Sequence, residues 1–328
     1  MTTPIVAVVG ATATGKSDLA LELAERLDGE VVNADAMQLY RGMDIGTAKL
    51  PPEQRRGIPH HQLDVLEVTQ EASVAAYQQA ARADLDGIRG RGRVPILVGG
   101  SGLYVRAVLD RLEIPPTDPG LRAALEARAE EIGTAAMFER LRALDPAAAH
   151  RIQPADTRRI VRALEVIELT GRPFSASLPR RELVSPAVVL GLSVDRSILD
   201  DRIDARAARM FEDGLLGEVS ALLGHGLRDG FTASRAIGYA QALAVLDAQT
   251  TVEQAVADTA QATRRFARRQ ESWFRPDPRT IWLPADNPDR VHPALVEAAL
   301  TAVRASATRP GPPDSAGRDE RHTGEWAP

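Results

Sequence analysis

The feature that most constrains the fold is a strand, a glycine-rich loop and a helix that follow one another near the amino terminus. Residues 5–9 are a continuous apolar, mostly β-branched run, which predicts a buried strand of a parallel sheet. Leu19, Leu23 and Leu27 recur at helical spacing after the loop, and Gly29 is expected to stop that helix. The loop fits the phosphate-binding pattern Gly-x-x-x-x-Gly-Lys-Ser and consists of Gly10, Ala11, Thr12, Ala13, Thr14, Gly15, Lys16 and Ser17.

The residue types in this loop suit polyphosphate binding. Its glycines allow backbone N–H groups to point inward at phosphate oxygens, and the following helix presents its positive amino-terminal end. Lys16 is expected to contact the outer phosphate, and the hydroxyl of Ser17 is expected to bind Mg²⁺. Kinases, NTPases and some transferases all contain such a loop, so the loop alone does not identify the class of protein. The rest of the sequence is needed to distinguish these classes.

Further apolar runs alternate with helical patterns along the chain. Strands are predicted at residues 30–33, 61–65, 94–98, 187–192 and 280–283. An alanine-rich helix is predicted at 72–89, and alternation of this kind is typical of an α/β protein. We therefore predict an α/β fold with a P-loop NTPase-like parallel sheet core.

One long segment interrupts this alternation. Residues 121–169 show helical patterns and no strand run, so we predict a helical insertion domain at 118–184. The α/β core then comprises residues 1–117 and 185–304, with helices expected from 197 to 270. The tail at 305–328 is rich in Pro, Gly, Asp and Arg, which predicts disorder.

Composition excludes several classes of protein. Cysteine is absent, which excludes disulfides, thiolate nucleophiles and zinc sites with cysteine ligands. No apolar run reaches the ~18 residues of a membrane helix. The start of the chain lacks the basic region of a signal peptide, so we expect a cytoplasmic protein with no membrane partner. The net charge of −5 argues only weakly against nucleic acid, because a local basic patch is enough to hold phosphates.

The basic residues are almost all arginine. Of the 40 Lys and Arg residues, only Lys16 and Lys49 are lysine. An ammonium group is compact whereas a guanidinium group is planar, so both positions are candidates for sites that require lysine. Chance is an equally good explanation for Lys49, whereas the loop pattern supports Lys16.

Asp35 follows the second predicted strand. The carboxyl ends of strands line the ligand crevice of an open α/β sheet. A carboxylate there could serve as a general base or help to hold Mg²⁺. A solvated or capping aspartate is the structural alternative.

Longer motifs point to one family. The segment 33–49, together with the loop at 10–17, closely resembles the bacterial tRNA dimethylallyltransferases. Further matching segments are 58–64, 98–104, 158–165, 234–239 and 264–274. The resemblance covers roughly residues 4–285. A small departure is Ala11, because Pro is more usual at that position of the family.

The resemblance implies a reaction. Enzymes of this family transfer a dimethylallyl group from dimethylallyl diphosphate to N6 of adenine 37, beside the anticodon of tRNAs that read codons beginning with U. Diphosphate is released. The resemblance assigns Asp35 as the base, Thr12 to the bridging oxygen, and Lys16 and Arg235 to the diphosphate. It also suggests a monomer whose partner is the anticodon stem-loop, with Mg²⁺ as cofactor.

The resemblance also suggests residues that contact tRNA. These are Asp35, Ala36, Met37, Gln38, Ser101, Arg122, Arg158, Arg159, Ile160, Val161 and Arg162. Residues 151–162 and 264–279 are locally basic, although such runs often form only a solvated helix face. Phe266, Trp273 and Phe274 lie within the second run and are interpreted as core residues rather than base-stacking ones.

Three alternatives to this function differ in how well the residues support them. A P-loop small-molecule kinase would use ATP and let Asp35 activate a hydroxyl. Asp200, Asp201 and Asp204 match the D-D-x-x-D motif of all-helical isoprenyl diphosphate synthases. We reject this alternative, because the predicted fold is α/β and no second such motif occurs. In addition, Arg202 and Arg206 are interpreted as ordinary i→i+4 partners of neighbouring acids. The third alternative is an RNA-binding module with an inactive loop.

Overall fold

The computed structural model describes residues 3–177, 181–287 and 291–307. Its centre is a sheet of six parallel strands in the order β3-β2-β4-β1-β5-β6. The strands are β1 (Ile5–Gly10), β2 (Gly29–Asn33), β3 (His60–His61), β4 (Val94–Gly99), β5 (Ala187–Ser193) and β6 (Thr280–Pro284). The predicted α/β fold class is therefore confirmed.

Twelve α-helices occur within the described residues. They are α1 (Lys16–Leu27), α2 (Val74–Gly90), α3 (Gly102–Leu109), α4 (Pro119–Ile132), α5 (Thr134–Leu144), α6 (Pro146–Ala149), α7 (Thr157–Thr170), α8 (Arg196–Glu212), α9 (Leu215–Leu223), α10 (Tyr239–Leu246), α11 (Val252–Phe274) and α12 (Pro293–Ala307). None of them is both long enough and apolar enough to cross a bilayer.

Alternate residues of β1 face opposite layers of helices. Val6 and Val8 pack with α1, α8 and α12, whereas Ala7 and Val9 pack with α2 and α3. The helix that follows β1 and the helix that follows β4 therefore lie on opposite faces of the sheet. Because β1 and β4 are neighbours, this arrangement opens a crevice at their carboxyl ends, where α/β proteins bind ligands.

Two local predictions were wrong in detail. The strand expected at 61–65 is only His60–His61, because Gln62 and Asp64 have φ of 59° and 56°, which ends the extended conformation. Helix α1 stops at Asp28, whose φ is 50°, and not at Gly29. Gly29 instead begins β2, where an added Cβ would lie 2.8 Å from the Val94 carbonyl oxygen and from the side chain of Ile96.

The predicted helical insertion is present as α4–α7. These helices enclose a cluster of their own, which consists of Leu125, Ala129, Met137, Leu141, Ala148, Ala149, Ile152, Ile160, Val161, Ala163 and Leu164. The chain leaves and re-enters the core side by side, since Asp110 forms an antiparallel bridge with Leu183. The backbone N–H of Arg111 donates to Glu182 at 2.7 Å, and that of Val184 donates to Leu109 at 2.9 Å. The domain limits at 118 and 184 stay a prediction.

At the other end of the chain, α12 continues to Ala307, so residues 305–307 are helical and not part of a disordered tail. The remainder of the predicted tail, 308–328, lies outside the described residues.

Candidate active site

The phosphate loop wraps between β1 and α1. Gly10 and Gly15 have φ of 144° and 90°, and Ala13 adopts a left-handed φ of 64°. An added Cβ at Gly10 would lie 2.9 Å from the Leu192 carbonyl oxygen on β5, so the tight start of the loop requires glycine. The hydroxyl of Thr14 donates to the Ala11 carbonyl at 2.9 Å and holds the turn closed.

Lys16 begins α1 and bends back over the loop. Its ammonium group donates to the Ala11 carbonyl at 2.6 Å. Burial lowers the pKa of Lys16 to about 8; Asp35 opposes this shift and Arg206 adds to it. A bound anion would favour the charged form of Lys16, so the loop is ready to receive phosphate oxygens.

Asp35 is held immediately beyond β2. The Asn33 side chain receives the Asp35 backbone N–H at 2.9 Å and donates to the Asp35 carbonyl at 3.0 Å. One carboxylate oxygen of Asp35 accepts the Met37 backbone N–H at 3.0 Å, so Asp35 also caps a short 3₁₀ helix. Its other carboxylate oxygen accepts no hydrogen bond from the described residues, which leaves it available to a ligand. Asp35 can therefore cap the 3₁₀ helix and also serve as a base.

Two cavities of different character meet beside this loop. A polar cavity of about 340 Å³ is lined by Lys16, Ser17 and Asn33. A second cavity of about 610 Å³ is mainly apolar and is lined by residues such as Ile203 and Met210. Both cavities are lined by Thr12, Asp35, Thr47 and Arg206. A polar ligand group and an apolar one can therefore meet at these four residues, which we call the junction.

Arg206 is the junction residue that sequence reasoning missed. The interpretation as an i→i+4 partner of an acid was wrong, because the residues four positions away are Arg202 and Met210. The guanidinium donates to the Thr12 hydroxyl at 3.1 Å and to the Thr47 carbonyl at 3.3 Å. The sequence did contain a signal for this role. Arg206 is next to the apolar stripe of α8 that includes Ile203 and Ala207, where a surface arginine is unexpected.

The same helix carries the D-D-x-x-D acids, and its geometry does not form a diphosphate site. Asp200 pairs with Arg196 at 2.7 Å, and Asp204 pairs with Arg264. Arg202 donates to the Ala285 carbonyl at 3.1 Å, and the residues four positions away are Ile198 and Arg206, so its assignment as an i→i+4 partner of an acid was also wrong.

Arg235 lies in the apolar cavity and does not line the polar one. Its guanidinium stacks 3.7 Å from the ring centroid of Phe231. Tyr239, in the same motif, donates to Glu218 at 2.5 Å. Glu218 accepts the backbone N–H groups of Asp44 and Ile45 at 3.1 and 2.8 Å, so the motif fixes the loop that carries Thr47.

Lys49 completes the support of this loop. Its side chain is 2% exposed, and its ammonium group donates to Asp44 and Asp64 at 2.6 Å each and to the Tyr40 carbonyl at 2.8 Å. Three acceptors around one point suit an ammonium group better than a planar guanidinium. The structure thus provides a reason for lysine at this position.

The residues expected to contact tRNA divide into two groups. The first group lines the cavities and comprises Asp35, Ala36, Met37, Gln38, Ser101 and Arg158. The hydroxyl of Ser101 also accepts the Ala36 backbone N–H at 3.3 Å, and Gln38 donates to the Thr47 carbonyl at 3.1 Å.

The second group lies in the insertion away from the cavities. Arg122 and Arg162 bind the buried carboxylate of Glu165 at 2.8 and 2.7 Å. Burial would raise the pKa of Glu165, but its hydrogen bonds to these two arginines hold it below its ordinary value. Ile160 and Val161 pack in the core of the insertion, and the expectation that they contact tRNA stays a prediction. Arg159 is 68% exposed and lies 3.5 Å from Asp156.

The three aromatic residues of the 264–274 segment differ in environment. Phe274 is buried, as interpreted from sequence. Trp273 is partly exposed and covers Gly102, where an added Cβ would collide with the indole ring. Phe266 lines the apolar cavity, so it is available to a ligand and is not only a core residue.

The residues present fit a Mg²⁺ ion bound together with a diphosphate. The described residues contain no group of three His, Cys, Asp or Glu side chains that could by itself hold a metal ion. Mg²⁺ in phosphate sites needs only one or two protein ligands, because phosphate oxygens and water complete its octahedron. Ser17 lines the polar cavity together with Asp35, which is a suitable donor set.

Comparison with known proteins identifies the family of the chain. The family model described as IPP transferase matches residues 38–277. A tRNA dimethylallyltransferase of Thermobifida fusca is 60% identical over 296 residues, which cover 89% of this chain and 93% of that protein.

Two solved structures extend the comparison to the fold. A tRNA isopentenylpyrophosphate transferase of Bacillus halodurans is 38% identical with a TM-score of 0.66, covering 93% of this chain and 98% of the other. A eukaryotic dimethylallyltransferase, described in snapshots of its action on tRNA, is 26% identical with a TM-score of 0.80, covering 94% of this chain and 80% of the other. On this evidence the chain belongs to the IPP transferase family.

Proposed function

We propose that the protein transfers a dimethylallyl group from dimethylallyl diphosphate to N6 of adenine 37 in tRNAs that read codons beginning with U. The observation that carries this proposal is the junction, where a phosphate-binding cavity meets an apolar one beside an aspartate. A donor with a charged head and an apolar tail fits both cavities at once. The membership of the IPP transferase family supports the same reaction.

The phosphate loop holds the diphosphate of the donor. Its backbone N–H groups, the ammonium group of Lys16 and the positive end of α1 face the charge that develops as the C1–O bond breaks. The Thr12 hydroxyl accepts a hydrogen bond from Arg206 and would itself donate one to the bridging oxygen. The Ser17 hydroxyl would hold a Mg²⁺ ion, and the ion would supply further neutralisation of this charge.

Asp35 acts on the acceptor. The exocyclic N6 of adenine forms its bond to C1 of the donor while the C1–O bond breaks, and diphosphate leaves with the electron pair. N6 must then lose a proton, and the free carboxylate oxygen of Asp35 receives it. Asn33 keeps that carboxylate at the junction through its two hydrogen bonds to the Asp35 backbone.

The tRNA approaches from the side of the insertion. A stacked adenine must be extruded to reach a buried site. Arg158 of α7 lines the apolar cavity together with Met37 and Ser101, so these residues can surround the extruded base. We propose that residues 118–184 form the domain that binds the anticodon stem-loop. A tRNA substrate also favours a cytoplasmic enzyme, and we retain the expectation of a monomer.

A paired assay tests the proposal. The protein is incubated with Mg²⁺ and unmodified tRNA, with labelled dimethylallyl diphosphate in one arm and labelled ATP in the other. We expect label on the tRNA from the first donor only. Asp35→Asn should lower kcat by about 10²–10⁴-fold, the range of general-base catalysis.

The matched control is Asp201→Asn, which changes an exposed carboxylate on α8 and should leave the rate unchanged. A loss of activity in this variant would instead favour the D-D-x-x-D alternative. ATP turnover without prenyl transfer would overturn the proposal and favour the small-molecule kinase.

A further inference from the structure

A buried carboxylate in the insertion organises two arginines. The side chain of Glu165 on α7 is 0% exposed. One of its oxygens accepts Arg122 of α4 through Nε at 3.2 Å and Nη2 at 2.8 Å, together with Arg162 of α7 at 2.7 Å. The other oxygen accepts the Asp118 backbone N–H at 2.9 Å. Glu165 thus joins two helices of the insertion to the residue that caps α4.

The two arginines use their remaining donors differently. Arg162 also donates to the carbonyls of Pro115 and Pro116 at 2.8 and 2.9 Å, so it holds the chain that enters the insertion. A guanidinium group has five N–H donors, and Arg122 uses two of them on Glu165. The Arg122 side chain makes no other hydrogen bond to the residues that the structure describes, and it is 40% exposed. Its inner edge is therefore fixed, while its outer edge faces solvent.

This cluster lies on the face of α7 that reaches the active site. Arg158, Arg162 and Glu165 are spaced i, i+4 and i+7, which places them on one face of the helix. At 1.5 Å per residue, Glu165 lies about 10 Å from Arg158 along the helix axis. Arg158 lines the apolar cavity, so this face leads from the cavity to Arg122. An RNA chain with one base in the cavity can therefore bring a backbone phosphate to Arg122.

We propose that Glu165 is a positioning residue for tRNA, which holds Arg122 so that the outer edge of its guanidinium binds a backbone phosphate. This role rests on the proposed function, because it concerns the RNA substrate of that reaction. A guanidinium edge binds phosphate through two parallel hydrogen bonds, which require a fixed plane. The two bonds from Arg122 to Glu165 fix that plane. Glu165 itself does not touch the RNA, because its side chain has no exposed surface.

The direction of the effect distinguishes this role from bulk electrostatics. Glu165 is negatively charged, so its removal would strengthen the binding of an anionic RNA if only the net charge of the insertion mattered. Loss of the fixed plane weakens binding instead. We therefore expect Glu165→Gln, which keeps the size of the side chain, to raise Kd for tRNA about tenfold, the effect of a hydrogen bond to a charged group. KM for dimethylallyl diphosphate and kcat at saturating tRNA should not change.

Fluorescence anisotropy with labelled, unmodified tRNA measures Kd over a range of salt concentrations, and a thermal melt checks that each variant is folded. Arg122→Ala should weaken binding and lower the slope of log Kd against log salt by about 0.7–0.9, the contribution of one phosphate contact. Adding Glu165→Gln to Arg122→Ala should cause no further loss, because Glu165 acts through Arg122. Glu168→Gln is the matched control. It removes another carboxylate of α7, which pairs with Arg140 at 2.7 Å, and it should not weaken binding.

Two results would overturn the proposal. One is tRNA binding that Glu165→Gln leaves unchanged or strengthens, and the other is an equal further loss when this change is added to Arg122→Ala. If Glu165→Gln does not fold, Arg122→Lys decides, because it keeps the charge but lacks the planar group. Its binding should weaken about tenfold, and wild-type binding by this variant would also overturn the proposal. A wild type that binds tRNA but transfers no dimethylallyl group would instead remove the proposed function.

Discussion

At Gln270, one amide side chain connects α11 to the phosphate loop. Its carbonyl accepts the Thr12 backbone N–H at 2.8 Å, and the side chain is almost completely buried. Gly100 makes this possible, because an added Cβ there would collide with the Gln270 amide. The Thr12 backbone N–H is thereby directed toward α11, and the Thr12 hydroxyl accepts a hydrogen bond from Arg206 at the junction.

We therefore predict that Gln270→Leu raises KM for dimethylallyl diphosphate about tenfold. The substitution keeps the volume of the side chain but leaves the Thr12 N–H unsatisfied, which costs about 1–3 kcal/mol. Steady-state kinetics and a thermal melt measure the effect. Gln261→Leu, on the exposed side of α11, should change neither value. An unaltered KM in Gln270→Leu would show that the loop keeps its conformation without this contact.

These residue contacts could not be predicted from the sequence. Thr12 and Gln270 are 258 positions apart, and Thr12 and Arg206 are 194 apart. The phosphate loop could be predicted from the sequence, because its residues are contiguous and each position has a physical requirement. Long-range pairs carry no local pattern, so the contacts of Arg206 and Gln270 emerge only when α8 and α11 pack beside the sheet.

At the scale of elements, α7 shows why a contiguous motif does not form a contiguous surface. Successive residues of a helix point about 100° apart, so residues 158–162 cannot all face tRNA. Arg158 reaches the cavity, Arg159 is exposed, and Arg162 binds Glu165. Long strands with apolar runs were predicted well, whereas β3, at two residues, is too short for a periodic pattern.

We predict that Arg162→Ala and Arg159→Ala have different effects. Arg162→Ala should lower the free energy of unfolding by about 3 kcal/mol, because it removes one of the partners of a buried carboxylate. Arg159→Ala should leave the melting temperature unchanged and raise KM for tRNA, with KM for the donor unaffected. Denaturant unfolding and kinetics with varied tRNA distinguish the two. If Arg162→Ala raised KM for tRNA without loss of stability, that arginine would contact the RNA directly.

At the scale of the whole molecule, the site is assembled from three parts of the chain. The amino-terminal part supplies Thr12, Lys16 and Asp35, the insertion supplies Arg158, and the carboxyl-terminal helices supply Arg206. The α/β class and the presence of a helical insertion followed from sequence patterns. The way in which the three parts surround one junction did not, because it depends on packing between distant elements.

Because the backbone is paired at Asp110 and Leu183, we expect that the insertion can be removed or exchanged as a unit. Its entrance and exit are already hydrogen-bonded like the two arms of a hairpin, and Asp110 is anchored to Arg279 at 2.6 Å. A short turn could therefore join the arms without disturbing the sheet. We expect such a shortened chain to bind inorganic pyrophosphate in calorimetry while losing tRNA prenylation. Helical insertions from related proteins could then be joined at the same point. The specificity for RNA would then depend on which insertion is present.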